Sequence, residues 1–336
     1  TINGTREELV TRRSRGYIPR PIFLQEELTP LLAVGGEMKN TICLTREKTA
    51  FVSQHIGEMG YPETYDFFLK TIEHMKGILE VEPQAIACDI HTGNATTSFA
   101  DSQKNLPVYK VQHHHAHIIS CLAENRIKDK AIGVAFDGTG YGTDGSVWGG
   151  EFLLADYASF KRVAHLAPLP LPGGEQAIKN PWRMALSYLE TYIGDFEDLG
   201  LDVCEKRTLR EKDMVVKLIR SRFNSPLTSS MGRFFDAVSA LLGICERSTY
   251  EGQAAIELEM ALGGTTQDCY PFLYHCENDC YTINPAPVIS AICADLKAAK
   301  PIGYISTTFH NSITAMISET CNRLREGFSI NRVALS

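Results

Sequence analysis

Four histidines fall within five positions of this chain, in the segment QHHHAH at residues 112–117. His113 and His117 are four residues apart, so one turn of helix would place both imidazoles on the same side, close enough to share a metal ion. His114 and His115 would then point elsewhere. The alternative is the polar start of a helix in which one or two histidines bond within the core. We predict a metal site, because imidazole is the commonest metal-binding side chain.

A glycine-rich segment, DGTGYG at residues 137–142, follows a short apolar run and contains the next candidate. Asp137 ends that run, where its carboxylate could be a third, oxygen ligand of the metal or could bond its own backbone in a turn. The glycines let backbone N–H groups approach an anion, which is typical of a phosphate-binding loop, although an Asp-Gly pair is also an ordinary hairpin signal. We predict that the two segments form one intracellular site for a metal ion and a nucleotide.

Three further groups of residues are candidates on composition alone. Gly35, Gly36 and Lys39 could make a second phosphate contact, or form a plain glycine turn with an exposed lysine. Asp236 lies in the apolar helical segment RFFDAVSALLG, where a lone carboxylate is usually solvated. Cys269, Cys276 and Cys280 cluster without a CxxC pair, which favours chance over a zinc site.

The bulk composition excludes several classes of protein. The 336 residues are 44% hydrophobic, enough for one large domain or for two lobes with a core each. A net charge of −7 gives no general positive field to attract nucleic acid. No secretory signal is present, and no apolar run approaches the roughly 20 residues that a bilayer requires. We expect a cytoplasmic protein that binds neither nucleic acid nor membrane.

The order of predicted elements occurs twice. From Leu31, short apolar strands flank a glycine turn at Gly35 and Gly36, and a helix over 61–80, the strands 85–89 and 108–111, and a helix from about His114 follow. From Ala131, a strand, a glycine turn at 137–145 and further strands precede helices predicted at 179–192, 205–221, 231–243 and 251–262. This duplication predicts two α/β lobes around a central cleft, where ligands usually bind at strand ends.

Longer segments of the chain resemble one known family. They are QHHHAH, FDGTGYGTDG, LPLPGGEQAIKNPWRMAL, SSMGRFFDAVSALLG and YEGQAAIELE, together with RRSRGYIPRPI, SQHIG and TTFHN. In this order they resemble the HypF carbamoyltransferases of nickel–iron hydrogenase maturation, and the resemblance covers nearly the whole chain. It implies a duplicated, two-lobed Kae1-like fold of the actin and Hsp70 superfamily.

The resemblance also implies a domain layout. In that family an acylphosphatase-like domain, zinc-finger segments and a YrdC-like domain precede the Kae1-like domain. Residues 1–28 would be the linker from the YrdC-like domain, 29–128 the first lobe, and 129–336 the second lobe with a helical insertion. The family continues beyond the position of Ser336 with a GGVFxN segment and an NDG aspartate, which would complete the metal and nucleotide sites.

The resemblance assigns roles to individual positions. His113, His117 and Asp137 would bind a divalent metal, zinc or iron. The nucleotide, the AMP moiety of carbamoyl adenylate, would contact residues that the family pattern marks: Gly138, Thr139, Gly140, Tyr141, Asp236 and Gly252. Glu257 is a further candidate for this contact. Lys39 is another, because it follows the glycine pair Gly35 and Gly36 and could contact a phosphate.

The implied reaction transfers a carbamoyl group from carbamoyl adenylate to the C-terminal cysteine of the acceptor protein HypE. The adenylate would be made from carbamoyl phosphate and ATP by the preceding domains. No catalytic nucleophile is expected from this chain, and the sequence contains no GxSxG elbow. Two alternatives are a tRNA threonylcarbamoyl transferase, which HHHAH and the negative charge disfavour, and a nucleotide-operated binding module that transfers nothing.

Overall fold

The computed structural model of this protein describes residues 20–336. The chain divides into two compact units. The first contains the described residues up to 116 together with 122–127, and the second contains 117–121 and 128–336. Each unit has its own β-sheet and helices, so the predicted α/β class is confirmed. No helix within residues 20–336 is long and apolar enough to cross a membrane.

The first unit is built on a five-stranded sheet in the order β1-β3-β2-β4-β5. β1, β3 and β2 are antiparallel, whereas β2, β4 and β5 run parallel. β4 is mostly buried along its length, as is typical of a central parallel strand. The strands are β1 Ile22–Leu28, β2 Leu31–Ala33, β3 Cys43–Val52, β4 Ala85–Asp89 and β5 Val108–Val111.

The helices of this part of the chain are α1 Pro62–Leu79, α2 Ala95–Ser102 and α3 His113–Glu124. α1 begins with proline, whose fixed φ suits the first helical position. Its residues Phe68, Ile72, Met75 and Leu79 are buried at helical spacing and pack in the core of the first unit. The strand β5 leads almost directly into α3, so the histidines begin a helix at the end of a parallel strand.

The second unit is built on an eight-stranded sheet. β6 pairs with β7 in antiparallel register and with β13 in parallel register, and β8 follows β7 toward β12 and β11. The short strand β10 joins β7 to β9. The strands are β6 Ala131–Tyr141, β7 Val147–Ala155, β8 Phe160–Leu166, β9 Leu169–Pro170, β10 Leu227–Thr228, β11 Leu273–Glu277, β12 Cys280–Asn284 and β13 Val333–Leu335.

The helices of the second unit pack around a buried aromatic group. The ring of Phe234 stacks on Tyr188 at a centroid distance of 5.0 Å and meets Phe309 edge to face at 5.1 Å. These residues hold α5, α8 and α11 together in the core. The helices are α4 Glu175–Lys179, α5 Pro181–Tyr192, α6 Asp202–Glu205, α7 Leu209–Ser221, α8 Met231–Leu241, α9 Gln253–Met260, α10 Ala286–Lys297 and α11 Ile302–Phe328.

The structure differs from the sequence predictions in two places within the first unit. Ile22–Leu28, predicted as part of a linker, form β1 and pair with β3, because an extended apolar segment can complete a sheet edge. Residues 1–19 of the predicted linker lie outside the described part of the chain. The short apolar strands predicted after the glycine turn at Gly35 and Gly36 are one long strand, β3, which runs from Cys43 to Val52.

Candidate metal and nucleotide site

The three predicted metal ligands lie close together. One potential ligand atom from each of His113, His117 and Asp137 falls within 4.8 Å of the other two, and all three side chains are half-buried. Within residues 20–336 this is the one group of three or more histidine, cysteine or carboxylate side chains with such spacing. Two imidazoles and a carboxylate form a donor set that suits zinc or iron(II).

α3 positions the two histidines as the sequence predicts. Residues four apart on a helix lie one turn apart on the same face, so His113 and His117 can approach one ion. His114, between them, is instead buried, with its Nδ1 atom 3.1 Å from the side-chain amide nitrogen of Gln112. The helix thus separates a pair of outward-facing imidazoles from one in the interior.

Each of the two outward-facing histidines has a polar neighbour at Nδ1. The Nδ1 atom of His113 lies 3.2 Å from a carboxylate oxygen of Asp89, and Nδ1 of His117 lies 3.0 Å from the hydroxyl oxygen of Ser336. Because the ionised Asp89 carboxylate can only accept, Nδ1–H of His113 is the donor, and in the neutral imidazole the lone pair then lies on Nε2. A carboxylate of this kind orients a metal-binding imidazole and increases its basicity.

Asp89 itself is ionised in this setting. Burial alone would raise the pKa of its carboxyl group, but hydrogen bonds from the His113 ring and from the His91 backbone N–H hold the pKa below its usual value. The carboxylate is therefore a stable acceptor for His113 at neutral pH. Asp89 is the last residue of β4, and Asp137 likewise follows the apolar residues of β6. An aspartate directly after an apolar strand is visible in the sequence, so this pattern could have identified Asp89 as a site residue.

Close packing between α3 and β6 sets the position of Asp137 relative to His117. A Cβ atom on Gly133 would lie 2.5 Å from the Cγ1 atom of Ile118, so only glycine permits this approach. His117 precedes Ile118, and Asp137 lies four residues after Gly133 on the same strand. The Oδ1 atom of Asp137 also accepts a 2.6 Å hydrogen bond from the Gly138 backbone N–H.

The predicted glycine hairpin is present, but its turn begins later than the predicted 137–145. β6 continues through Gly138, Thr139 and Gly140 to Tyr141, and the turn follows at residues 142–146. The pairing between β6 and β7 is irregular between Phe136 and Gly140, so the ladder hydrogen bonds are interrupted where the glycines lie. β6 extends to Tyr141 because Gly140 and Tyr141 pair with β7. The sequence of a glycine hairpin does not show at which residue its strands end and its turn begins.

The start of α8 lies against this irregular stretch of β6. The hydroxyl group of Ser230, the N-cap of α8, lies 2.7 Å from the carbonyl oxygen of Asp137 and 2.8 Å from that of Gly138. The Ser230 hydroxyl oxygen also accepts a hydrogen bond from the backbone N–H of Arg233, and this bond caps the helix. The first turn of α8, with its positive end of the helix dipole, is thus held beside Gly138.

Asp236 is buried, so the expectation that this carboxylate is solvated on the helix surface is wrong. Its carboxylate is 5% exposed and lies 3.0 Å from the Nε atom of Arg233. Burial raises the pKa of Asp236 to about 6, although the Arg233 guanidinium opposes this shift. Arg233 was not among the predicted site residues, because an arginine next to a phenylalanine pair resembles any helix surface position.

The remaining predicted nucleotide residues occupy separate positions. Gly252 is the N-cap of α9 and has a φ of 77°, a conformation that favours glycine. Glu257 lies one turn further on and accepts a hydrogen bond from the side-chain amide of Gln253. Lys39 is exposed in the first unit, after the turn that contains Gly35. Nucleotide contact by these three residues stays a prediction.

A buried polar network supports the hairpin between β6 and β7. Glu151 is fully buried and accepts hydrogen bonds from the Nε atom of Arg162 at 2.6 Å and from the hydroxyl of Ser229. Arg162 also donates to Asp144 in the turn, and its guanidinium stacks 4.2 Å from the centre of the Trp148 ring. The turn after Tyr141 is therefore fastened to the sheet by side chains.

Comparisons with known proteins assign this architecture to a family. Residues 26–124 match the family model of the HypF Kae1-like domain, and residues 133–336 match that of the second subdomain of the carbamoyltransferase Kae1-like domain. Carbamoyltransferase HypF2 of Cupriavidus necator is 46% identical over 74% of this chain and 31% of its own length. Carbamoyltransferase HypF of Synechocystis sp. is 38% identical over 92% of this chain and 42% of its own length.

Solved structures agree with these matches. A crystal structure of full-length HypF in a phosphate- and nucleotide-bound form superposes with a TM-score of 0.92 at 42% identity, covering 97% of this chain and 51% of that one. The structure of HypF from T. kodakarensis superposes with a TM-score of 0.87 at 32% identity, covering 97% and 44%. The chain thus spans about half or less of the length of these relatives. It belongs to the carbamoyltransferase HypF family and corresponds to the Kae1-like domain.

Proposed function

We propose that this chain transfers a carbamoyl group from carbamoyl adenylate to the C-terminal cysteine of HypE, as the HypF step of hydrogenase maturation. The observation that carries the proposal is the convergence of His113, His117 and Asp137 beside the irregular stretch of β6. Membership of the HypF family supports the chemistry, and the phosphate- and nucleotide-bound state of one solved relative supports the choice of ligand.

The donor set fits a divalent metal. The protonated Nδ1 atom of His113 faces Asp89, which leaves Nε2 available as a ligand atom. Catalytic metal sites keep a coordination position for a substrate oxygen, and His113, His117 and Asp137 by themselves do not fill the coordination shell of zinc or iron. When bound, zinc or iron would supply positive charge to stabilise the oxygen of the carbamoyl group during attack.

The residues near Gly138 would hold the nucleotide. Backbone N–H groups that the irregular β6–β7 pairing leaves out of the ladder can donate to the phosphate of AMP. The start of α8 adds the positive end of a helix dipole at the same place. The carboxylate of Asp236 could accept a hydrogen bond from a ribose hydroxyl, with Gly252, Glu257 and Lys39 as further contacts.

The transfer itself would require no nucleophile from this chain. The acceptor cysteine reacts as its thiolate, whose proton has already gone to solvent. The sulfur forms a bond to the carbamoyl carbon, the bond from that carbon to the phosphate oxygen breaks, and AMP leaves with that oxygen and the electron pair. The task of the chain is to hold the thiolate over the face of the carbamoyl group and to keep AMP in place as it leaves, which lowers the entropic part of the barrier. Carbamoyl phosphate and ATP would be consumed earlier, to make the adenylate.

The decisive experiment supplies synthetic carbamoyl adenylate and a peptide with the C-terminal sequence of HypE to the purified, metal-loaded chain. We expect the mass of one carbamoyl group to be added to the terminal cysteine, and no addition to a control peptide ending in serine. The Asp137→Asn variant should lose this activity, since the carboxylate ligand is removed. Tight nucleotide binding without any transfer would refute the proposal in favour of a nucleotide-operated binding module.

A further inference from the structure

Arg233 has an unusual environment for a buried arginine. Its side chain is 7% exposed, yet its Nε and Nη1 atoms are sealed from solvent and donate no hydrogen bond to any residue of the described part of the chain. A guanidinium group has five N–H donors, and burying it without acceptors costs free energy. Burial of Arg233 therefore lowers the stability of the folded chain unless a further group accepts its hydrogen bonds.

The neighbouring carboxylate does not account for this arrangement. Asp236 lies 3.0 Å from Nε of Arg233, but its Oδ2 atom also accepts no hydrogen bond from residues 20–336. The pair attracts electrostatically without the directional bonds that normally offset desolvation. Each member therefore has buried polar atoms without a hydrogen-bond partner among residues 20–336.

A second buried arginine in the same unit shows what a structural role looks like. Arg162 donates from Nε to Glu151, from Nη1 to Asp144 and from Nη2 to Ser229, so all three of its nitrogens are bonded. Such a pair is complete in the folded protein without any ligand. Arg233 lacks every one of these bonds, although it is more deeply buried.

The guanidinium of Arg233 is directed at the glycine stretch of β6. A Cβ atom on Gly138 would lie 3.4 Å from the Nη2 atom of Arg233, so Nη2 lies beside the Gly138 backbone with no side chain between them. Gly232, the preceding residue, packs directly against the Gly138 backbone. Arg233 and the first turn of α8 therefore present positive charge to one place.

We propose that Arg233 binds an anionic phosphate oxygen of the nucleotide at Gly138, and that it selects phosphorylated nucleosides over neutral ones. This inference rests on the proposed function, because it assigns the charged contact within the same nucleotide site. The guanidinium donates to the phosphate while Asp236 remains its partner on the other side. A phosphate oxygen beside Gly138 would accept from Nη2, and a hydrogen bond between two charged groups is stronger than one between neutral groups.

The test compares the binding of AMP and of adenosine by calorimetry in the wild-type chain, Arg233→Met and a surface control, Arg325→Met. We expect Arg233→Met to weaken AMP by about tenfold or more, the loss expected for a hydrogen bond between charged groups, while adenosine binds as in the wild type. Arg325, in the last turn of α11, should have no effect on either ligand.

Unchanged AMP affinity in Arg233→Met, or an equal loss for AMP and adenosine, would overturn the inference while leaving the proposed function intact. A wild-type chain that binds neither ligand would overturn both together. If Arg233→Met does not fold, Arg233→Gln removes the charge but keeps a polar side chain, and the same criterion of selective AMP loss applies to it.

Discussion

Gly232, in the first turn of α8, approaches Gly138 of β6 so closely that a Cβ atom on Gly232 would lie 2.8 Å from the Gly138 Cα atom. The hydroxyl of Ser230 closes the same contact through the carbonyl oxygens of Asp137 and Gly138. The backbone of Asp137, a candidate metal ligand, thus rests against a helix that also carries Arg233 and Asp236. The candidate metal site and the proposed nucleotide site therefore share one supporting contact.

Gly232→Ala should damage this contact. The new methyl group meets backbone atoms that cannot rotate away, so α8 or β6 must shift, at a cost of about 1–3 kcal/mol in the free energy of unfolding. We also expect weaker metal binding, because the shift would move Asp137. Urea unfolding and metal titration measure the two effects.

Gly77→Ala is the matched control. Gly77 is an exposed residue inside α1, and a Cβ atom there would meet nothing within 4 Å. Alanine should raise the free energy of unfolding by about 0.5–1 kcal/mol, because it is the better helix former. Equal effects of the two substitutions would show that the approach of Gly232 to Gly138 is not close in solution.

His117→Ala should remove bound metal while leaving the fold intact. The imidazole is half-buried and is one of the three grouped ligands, so its loss leaves a two-ligand site of much lower affinity. His115→Ala, on the same helix but outside the group of three, should retain the metal. Elemental analysis gives the metal content, and full metal in the His117 variant would rule out its role as a ligand.

Arg162→Met should destabilise the second unit strongly. Without the arginine, the fully buried carboxylate of Glu151 loses its charged partner, which we expect to cost about 3–5 kcal/mol. The comparison is Arg332→Met, since Arg332 pairs with Asp129 where both side chains are about half exposed or more. That variant should lose less than about 1 kcal/mol. Chemical unfolding of both variants decides whether burial of the pair controls its contribution.

The raised pKa of Asp236 predicts a pH-dependent stability. Since the pKa rises from its ordinary 3.8 to about 6 on folding, the unfolded chain releases this proton at lower pH than the folded chain does. The stability associated with the protonated carboxyl is therefore full below about pH 4 and is lost as the pH rises through 6. The loss corresponds to about 3 kcal/mol.

Asp236→Asn isolates this contribution, because asparagine does not titrate. Relative to the variant, the wild type should lose stability from pH 4 to pH 7, whatever constant difference the substitution adds. Arg233, Tyr188 and Cys245 carry the other ionisable groups that act on Asp236, and none changes charge in this range, since burial raises the pKa values of Tyr188 and Cys245. A difference in unfolding free energy that is constant with pH would contradict the prediction.

Local periodicity was enough to predict most of the helices and several strands. The predicted helix over 61–80 is α1, Pro62–Leu79, and the strands 85–89 and 108–111 are β4 and β5 with the same bounds. Such segments are recognisable because the spacing of their apolar residues repeats within one element. The strand ends at the glycines were not recognisable, since β6 extends to Tyr141 only through pairing with β7.

The spacing of His113 and His117 is likewise a local property, because four residues make about one helical turn. The sequence therefore determined that these two imidazoles can face one ion, and that a helix beginning near them follows the strand 108–111. Tertiary structure decided which oxygen joins them. Asp137 is twenty positions beyond His117, and it arrives through the packing of Gly133 against Ile118.

Burial is the other property that only the folded chain decides. Arg233 and Asp236 are three residues apart on any helix, solvated or not, and nothing in RFFDAVSALLG distinguishes the two cases. In the structure Ser230 and Gly232 press the start of α8 onto β6, and this contact seals both side chains. The electrostatic consequence, a buried cation beside Gly138, depends on contacts nearly a hundred residues apart in the chain, which no local pattern encodes.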